Sequence, residues 1–145
     1  MADRIWFNDI TLEDVRKVER NTILEHLDIR FEELGPDFLA GSMPVDHRTV
    51  QPLRILHGGA SVVLTETLGS MASYMTVDRT KFQSIGLEVN ANHLKRKNEG
   101  SGRVYGVARP VRMGKKIHVW SIEVTDEEGD MVCISRLTMA IIPVR

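Results

Sequence analysis

Between His57 and Asp78 the chain carries one charged side chain, Glu66. It sits in HGGASVVLTETLGSMAS, residues 57–73, among apolar and small residues. A carboxylate in such surroundings can act as a base or a nucleophile, because partial desolvation raises its reactivity and its cost. His57-Gly58-Gly59 stands just before it. The first N–H groups of a helix lack internal partners and carry partial positive charge, and glycines let a ligand oxygen approach them closely. That arrangement suits a developing oxyanion. A tight turn into the helix explains the glycines equally well.

These residues need a helix to hold them, and the pattern predicts one from Gly58 or Gly59 to about Thr76. On a helical wheel Ala60, Leu64, Leu68, Met71, Ala72 and Met75 share a broad apolar face that should lie on a sheet. Gly59, Val62, Glu66, Gly69, Ser70 and Ser73 fall opposite. Exposed helix faces normally carry Lys, Glu and Arg, so this second face is expected to be covered by another protein chain, with Ser70 one turn from Glu66 and bonded to it.

Around the helix the reading is mostly strands. Thr11 opens an N-terminal helix, TLEDVRKVERNTILEHL, with Asp14 completing a capping box and Leu12, Val15, Val18 and Ile23 on its apolar face. LDIRFEEL (27–34) and FLAGSMPV (38–45) form a hairpin across Gly35-Pro36-Asp37. SIGLEVNANHLK alternates Ile85, Leu87, Val89 and Ala91 against Glu88, Asn90 and Asn92. GRVYGVARPV, KIHVWSIEVTD and MVCISRLTMAIIPV follow after short turns, so these strands must pair antiparallel. The last is apolar on both faces, as an inner strand would be. The sum is one α+β domain over residues 1–145, with 1–26 a helical segment packed on it.

Composition narrows the chemistry. The 145 residues are 42% hydrophobic and 27% charged, with 19 Lys and Arg against 20 Asp and Glu. No basic excess points to nucleic acid. The lone cysteine, Cys133, reads as a core residue and allows no intrachain disulfide, which fits a reducing compartment. No apolar run suits a signal peptide, and residues 58–77 are too polar to span a membrane, so a cytoplasmic protein is expected. There is no G-x-S-x-G elbow and no phosphate-binding G-x-x-x-x-G-K-[ST] loop. The five histidines show no metal-ligand spacing, and no metal or cofactor is called for.

Taken together, HGGASVVLTETLGS and GLEVNANHLK strongly resemble the hotdog-fold acyl-CoA thioesterases, and the likeness runs from LDIRFEELG through MPVDHRTVQP to RLTMAIIPV. It is nearest to the branch that hydrolyses aromatic acyl-CoAs, including enzymes of menaquinone and enterobactin synthesis. The resemblance implies a long helix wrapped by an antiparallel sheet. It also implies pairing of two subunits into one continuous sheet, often with a second pairing to a homotetramer. By the same likeness Glu66 is the catalytic carboxylate, as nucleophile or general base. Gly58 then supplies the oxyanion N–H with help from His57, Gln51 reaches the thioester from the partner chain, and Ser70 positions water or the carboxylate. Gly86 and Met71 would touch substrate. Coenzyme A, here part of the substrate, would meet His93, Lys95, Gly114, Lys115 and Lys116, whereas Arg96 and Lys97 read better as a solvated strand end.

Two other readings compete. A hotdog hydratase or dehydratase would need D-x-x-x-x-H, but the residue five after Asp46 is Gln51. A non-catalytic acyl-CoA-binding domain would have no use for Glu66.

Overall fold

The computed structural model describes residues 3–145. Helices α1 (Leu12–Arg16) and α2 (Ile23–Leu27) precede strands β1 (Arg30–Leu34) and β2 (Leu39–Pro44). The long helix α3 (Gly58–Met75) follows, then β3 (Phe82–His93), β4 (Arg103–Met113), β5 (Ile117–Thr125) and β6 (Met131–Pro143). All six strands form one antiparallel sheet in the order β1-β2-β4-β5-β6-β3. The sheet curls round α3, which touches β2 through β6. This is the α+β arrangement that the resemblance implies. No described helix is long and apolar enough to cross a membrane.

The helix seats by close packing. Gly41 and Gly106 face each other across β2 and β4. A Cβ on either would lie 2.7 or 2.6 Å from a Leu68 methyl, so the glycine pair forms the socket that Leu68 fills. Leu64, Leu68, Trp120, Ile122 and Leu137 are wholly buried around it. Each such side chain contributes about 1.5–3 kcal/mol through burial.

The helical wheel assigned three residues to the wrong face. Gly69 and Ser73 are buried against the chain's own sheet, and a Cβ on Gly69 would lie 2.6 Å from a Leu137 methyl. Any larger residue at 69 therefore strikes β6, and Gly69 is not a contact for another chain. Met71, expected inward, is half-buried on the outer face with Val62, Val63, Thr67 and Ser70, while Glu66 and Tyr74 are exposed there. Small residues mark the inner face because helix and sheet approach closely.

The N-terminal helix is broken rather than continuous. The Thr11–Asp14 capping box forms as predicted, but α1 ends at Arg16, and Asn21 takes a left-handed φ of 57° before Thr22 caps α2. Leu27 belongs to α2, so β1 begins at Arg30 rather than at 27. In β3 the expected alternation also fails. A bulge between Gly86 and Glu88 leaves Leu87 without a partner on β6, which turns Gly86 inward and leaves Ile85 and Leu87 exposed.

His118, 4% exposed, lies beneath the C-terminal half of α3. Its Nδ1 is 2.9 Å from Ser73 Oγ, which accepts the Ser84 hydroxyl at 2.8 Å, and the ring also meets the Gly114 backbone. Burial pushes its pKa below the ordinary imidazole value. The unfolded chain thus takes up a proton near pH 6.5 that the folded one refuses. Stability should fall as pH drops below about 6.5, with no such loss above it. Carboxylates with depressed pKa, such as Asp28 and Asp46, act only nearer pH 4. Melting His118→Gln at pH 7.5 and 5.5 should show a smaller acid loss than the parent; equal losses would refute the assignment.

Candidate active site

The segment before α3 sets the approach to its N-terminus. Thr49 Oγ1 donates to the Pro44 carbonyl (2.6 Å) and the His57 N–H to the Thr49 carbonyl (2.8 Å). The Leu56 N–H donates to the Lys97 carbonyl at 2.8 Å. His57 then caps the helix, its Nδ1 accepting the Gly59 N–H at 2.8 Å, while its carbonyl accepts from Ala60 and Ser61. The Gly58 N–H is left as the first donor of the helix with no acceptor among the described residues. Because Nδ1 accepts, the neutral His57 ring carries its proton on Nε2, free to donate outward. A Cβ on Gly58 would lie 2.8 Å from His93 Nε2, so the absence of a side chain lets that ring stand over the helix start.

Gly58, Gln51, Ile55, His93 and Lys95 line one cavity of about 340 Å³. Gln51 Oε1 accepts the Leu53 N–H, which fixes the side chain against its own loop.

Glu66 lies in a different cavity, of about 570 Å³ and largely apolar, with Ser70, Met71 and Tyr74. Its carboxylate is exposed in the single chain and forms no hydrogen bond or ion pair among the described residues. Glu66 Oε1 lies 3.1 Å from where a Gly86 Cβ would be, so Gly86 is the gap in β3 that receives the carboxylate. Ser70 does not bond Glu66 as expected; its hydroxyl is 3.8 Å from Met139 Sδ. Eight residues separate Gly58 from Glu66, about 12 Å along the helix axis. Within one chain the Gly58 N–H and the Glu66 carboxylate are therefore too far apart to meet the same carbonyl group.

The basic groups separate as well. Lys95 Nζ is 2.6 Å from both Asp126 and Asp130, and the Asp126 bond raises its pKa further. Lys97 is not a solvated strand end. It is 8% exposed and donates to Asp126 at 3.1 Å, and the Lys95 and Lys97 bonds hold that carboxyl well below the usual range despite burial. The two lysines brace the β5–β6 turn. Gly114, Lys115 and Lys116 line a third cavity with Val77, Phe82 and His118, near the C-terminal end of α3, and neither lysine has an ion pair among the described residues. The described residues contain no cluster of three His, Cys, Asp or Glu able to hold a metal.

Residues 53–133 match the family model described as Thioesterase superfamily. The chain belongs to this family. It is 50% identical over 139 residues to the putative esterase PA1618 of Pseudomonas aeruginosa, covering 96% of this chain and 94% of that one. It is 48% identical over 138 residues to the 1,4-dihydroxy-2-naphthoyl-CoA hydrolase of Escherichia coli, covering 95% and 99%. The crystal structure of a substituted form of the thioesterase PA1618 superposes with a TM-score of 0.92 at 48% identity, over 97% of this chain and 99% of that one. This chain is thus a hotdog-fold thioester hydrolase. The resemblance read from HGGASVVLTETLGS and GLEVNANHLK holds at the level of the family.

Sequence reasoning missed Val63 and Thr67 on the outer face of α3 and the contribution of Val18, Ile23 and Leu24 to the Glu66 cavity. Val63 and Thr67 follow from the period once Gly69 and Ser73 are placed inward; the N-terminal residues had no signal beyond being apolar.

Proposed function

We propose that this protein hydrolyses aromatic acyl-CoA thioesters, such as 1,4-dihydroxy-2-naphthoyl-CoA, at a site assembled from two copies of the chain. The separation of the Gly58 cavity from the Glu66 cavity carries the two-copy site, and the likeness to the 1,4-dihydroxy-2-naphthoyl-CoA hydrolase of Escherichia coli supports the aromatic substrate. A two-fold axis near Val62 is midway between the two positions, so antiparallel α3 helices would place Gly58 of each copy beside Glu66 of the other. The outer face of α3, with Glu66 its only charge, suits such a contact. So does β3, a 12-residue edge strand whose far side has no partner among the described residues. Edges of that length are normally paired or protected.

The chemistry follows from the two halves. The Gly58 N–H, aided by His57 Nε2–H, takes the negative charge that grows on the thioester oxygen. Gln51 and His93, on the same wall, orient the thioester. The Glu66 carboxylate then either attacks the carbonyl carbon or removes a proton from the water that does. In the first route the C–S bond breaks as a mixed anhydride forms, and water later hydrolyses it. In the second, water oxygen adds directly and the tetrahedral intermediate expels the thiolate. Both give the acid and free coenzyme A. Lys115 and Lys116 serve the phosphates, since their charges are uncommitted, whereas Lys95 is largely neutralised by two carboxylates.

A hydratase reading gains nothing, because Asp46 is engaged by Arg48 at 2.6 Å. Following thiol release from benzoyl-CoA should show turnover, whereas a hydratase or a simple binder would release none. Turnover by a chain shown to be monomeric under assay conditions would refute the composite site.

A further inference from the structure

We infer that the stretch from Val18 to Leu24, backed by Phe31, forms the outer wall of the acyl cavity and sets the largest acyl group the enzyme accepts. The inference rests on the hydrolase reading and extends it to residues outside α3.

The cavity that holds Glu66 has two unlike sides. One is the outer face of α3, with Glu66, Ser70 and Met71; the other is Val18, Ile23, Leu24 and Phe31. Val18 and Ile23 are 44% and 52% exposed, yet both face this hollow. If the reacting carbonyl lies at Glu66, the remainder of the acyl group extends over α3 towards the apolar side chains opposite. Its apolar surface would cover theirs, which gives both sides a gain from burial.

The wall is fixed in place by its own side chains. β1 is an edge strand, and the flanking segment satisfies its free backbone. Arg16 Nε donates to the Phe31 carbonyl at 2.9 Å, and the Phe31 N–H donates to Glu19 Oε1 at 2.8 Å. Asn21 N–H donates to Glu25 at 2.6 Å, which holds the left-handed turn between the helices. A wall anchored on both sides of Val18 and Ile23 cannot shift easily to admit a longer group, so it selects by size.

The test is the ratio of kcat/KM for dodecanoyl-CoA to that for benzoyl-CoA. Val18→Ala and Ile23→Ala should each raise it, on the order of 10-fold, the low end of what lost methylenes are worth in a pocket. Val18→Phe should lower it. Val111→Ala, at a 57% exposed site on β4 outside the cavity, should leave the ratio alone. If the wall variants leave the ratio where it stands in an active parent, or Val111→Ala moves it as far, the wall assignment fails while the hydrolase reading survives. If the parent cleaves neither thioester, the hydrolase reading fails and takes the wall with it.

Discussion

Glu66→Gln is expected to give a folded protein whose thioester hydrolysis is reduced by a factor of about 100 to 10,000, the usual worth of a positioned acid or base. The amide keeps the size of the side chain but can neither attack a carbonyl nor accept a proton from water. In the single chain the carboxylate is exposed and unpaired, so its loss leaves no stranded partner and stability should change little. Binding of acyl-CoA should persist, because the proposed phosphate contacts lie on the β4–β5 turn. Glu66→Asp should also be poor, since the gap at Gly86 sets the reach of the longer side chain. Steady-state thiol release together with equilibrium binding of a thioester separates the two effects. A Gln variant with near-parental turnover would remove Glu66 from the mechanism.

What the sequence disclosed follows the range of the forces involved. Helix α3 runs from Gly58 to Met75 as the pattern predicts, since its boundaries depend on neighbouring residues alone. The strands are likewise placed to within a few residues, because turn glycines and alternation are local signals. Errors arose where one distant contact decided the outcome. Gly69 and Ser73 read as an outer face until Leu137 and His118 appeared beside them. Lys97 is buried because Asp126 lies 29 residues away, and nothing near Lys97 announces that partner. The bulge at Leu87 reverses one end of an otherwise regular alternation, and it is the bulge that brings Gly86 to Glu66. Glu66, His57, Gly58 and Ser70 could be named because single-residue chemistry is visible in their types, whereas Gln51, Gly86 and Met71 were named only through the resemblance to the family. Their division between two cavities could not, since the distance from Gly58 to Glu66 matters only once the helix direction and both walls are known.

Gly58→Val should depress turnover by about 100- to 1,000-fold, as loss of one oxyanion donor does elsewhere. The N–H itself survives the substitution, so the effect must come from the side chain. The structure supplies two routes. A valine methyl would occupy the space through which a thioester oxygen approaches, and its Cβ would already lie 2.8 Å from His93 Nε2. The ring must swing away, and the wall that orients the thioester is lost with it. Gly58 is half-buried at the first turn of α3, where the cap from His57 and the bonds to Ala60 and Ser61 remain. The helix should therefore form, and circular dichroism should match the parent. Gly58→Ala separates the routes. Its single methyl still crowds His93 but intrudes less on the oxygen's path, so if displacement of the ring is the cause, Gly58→Ala should lose about as much activity as His93→Ala and the double variant little more. Should Gly58→Val turn over like the parent, the carbonyl oxygen is held by another donor and the helix terminus is only a turn.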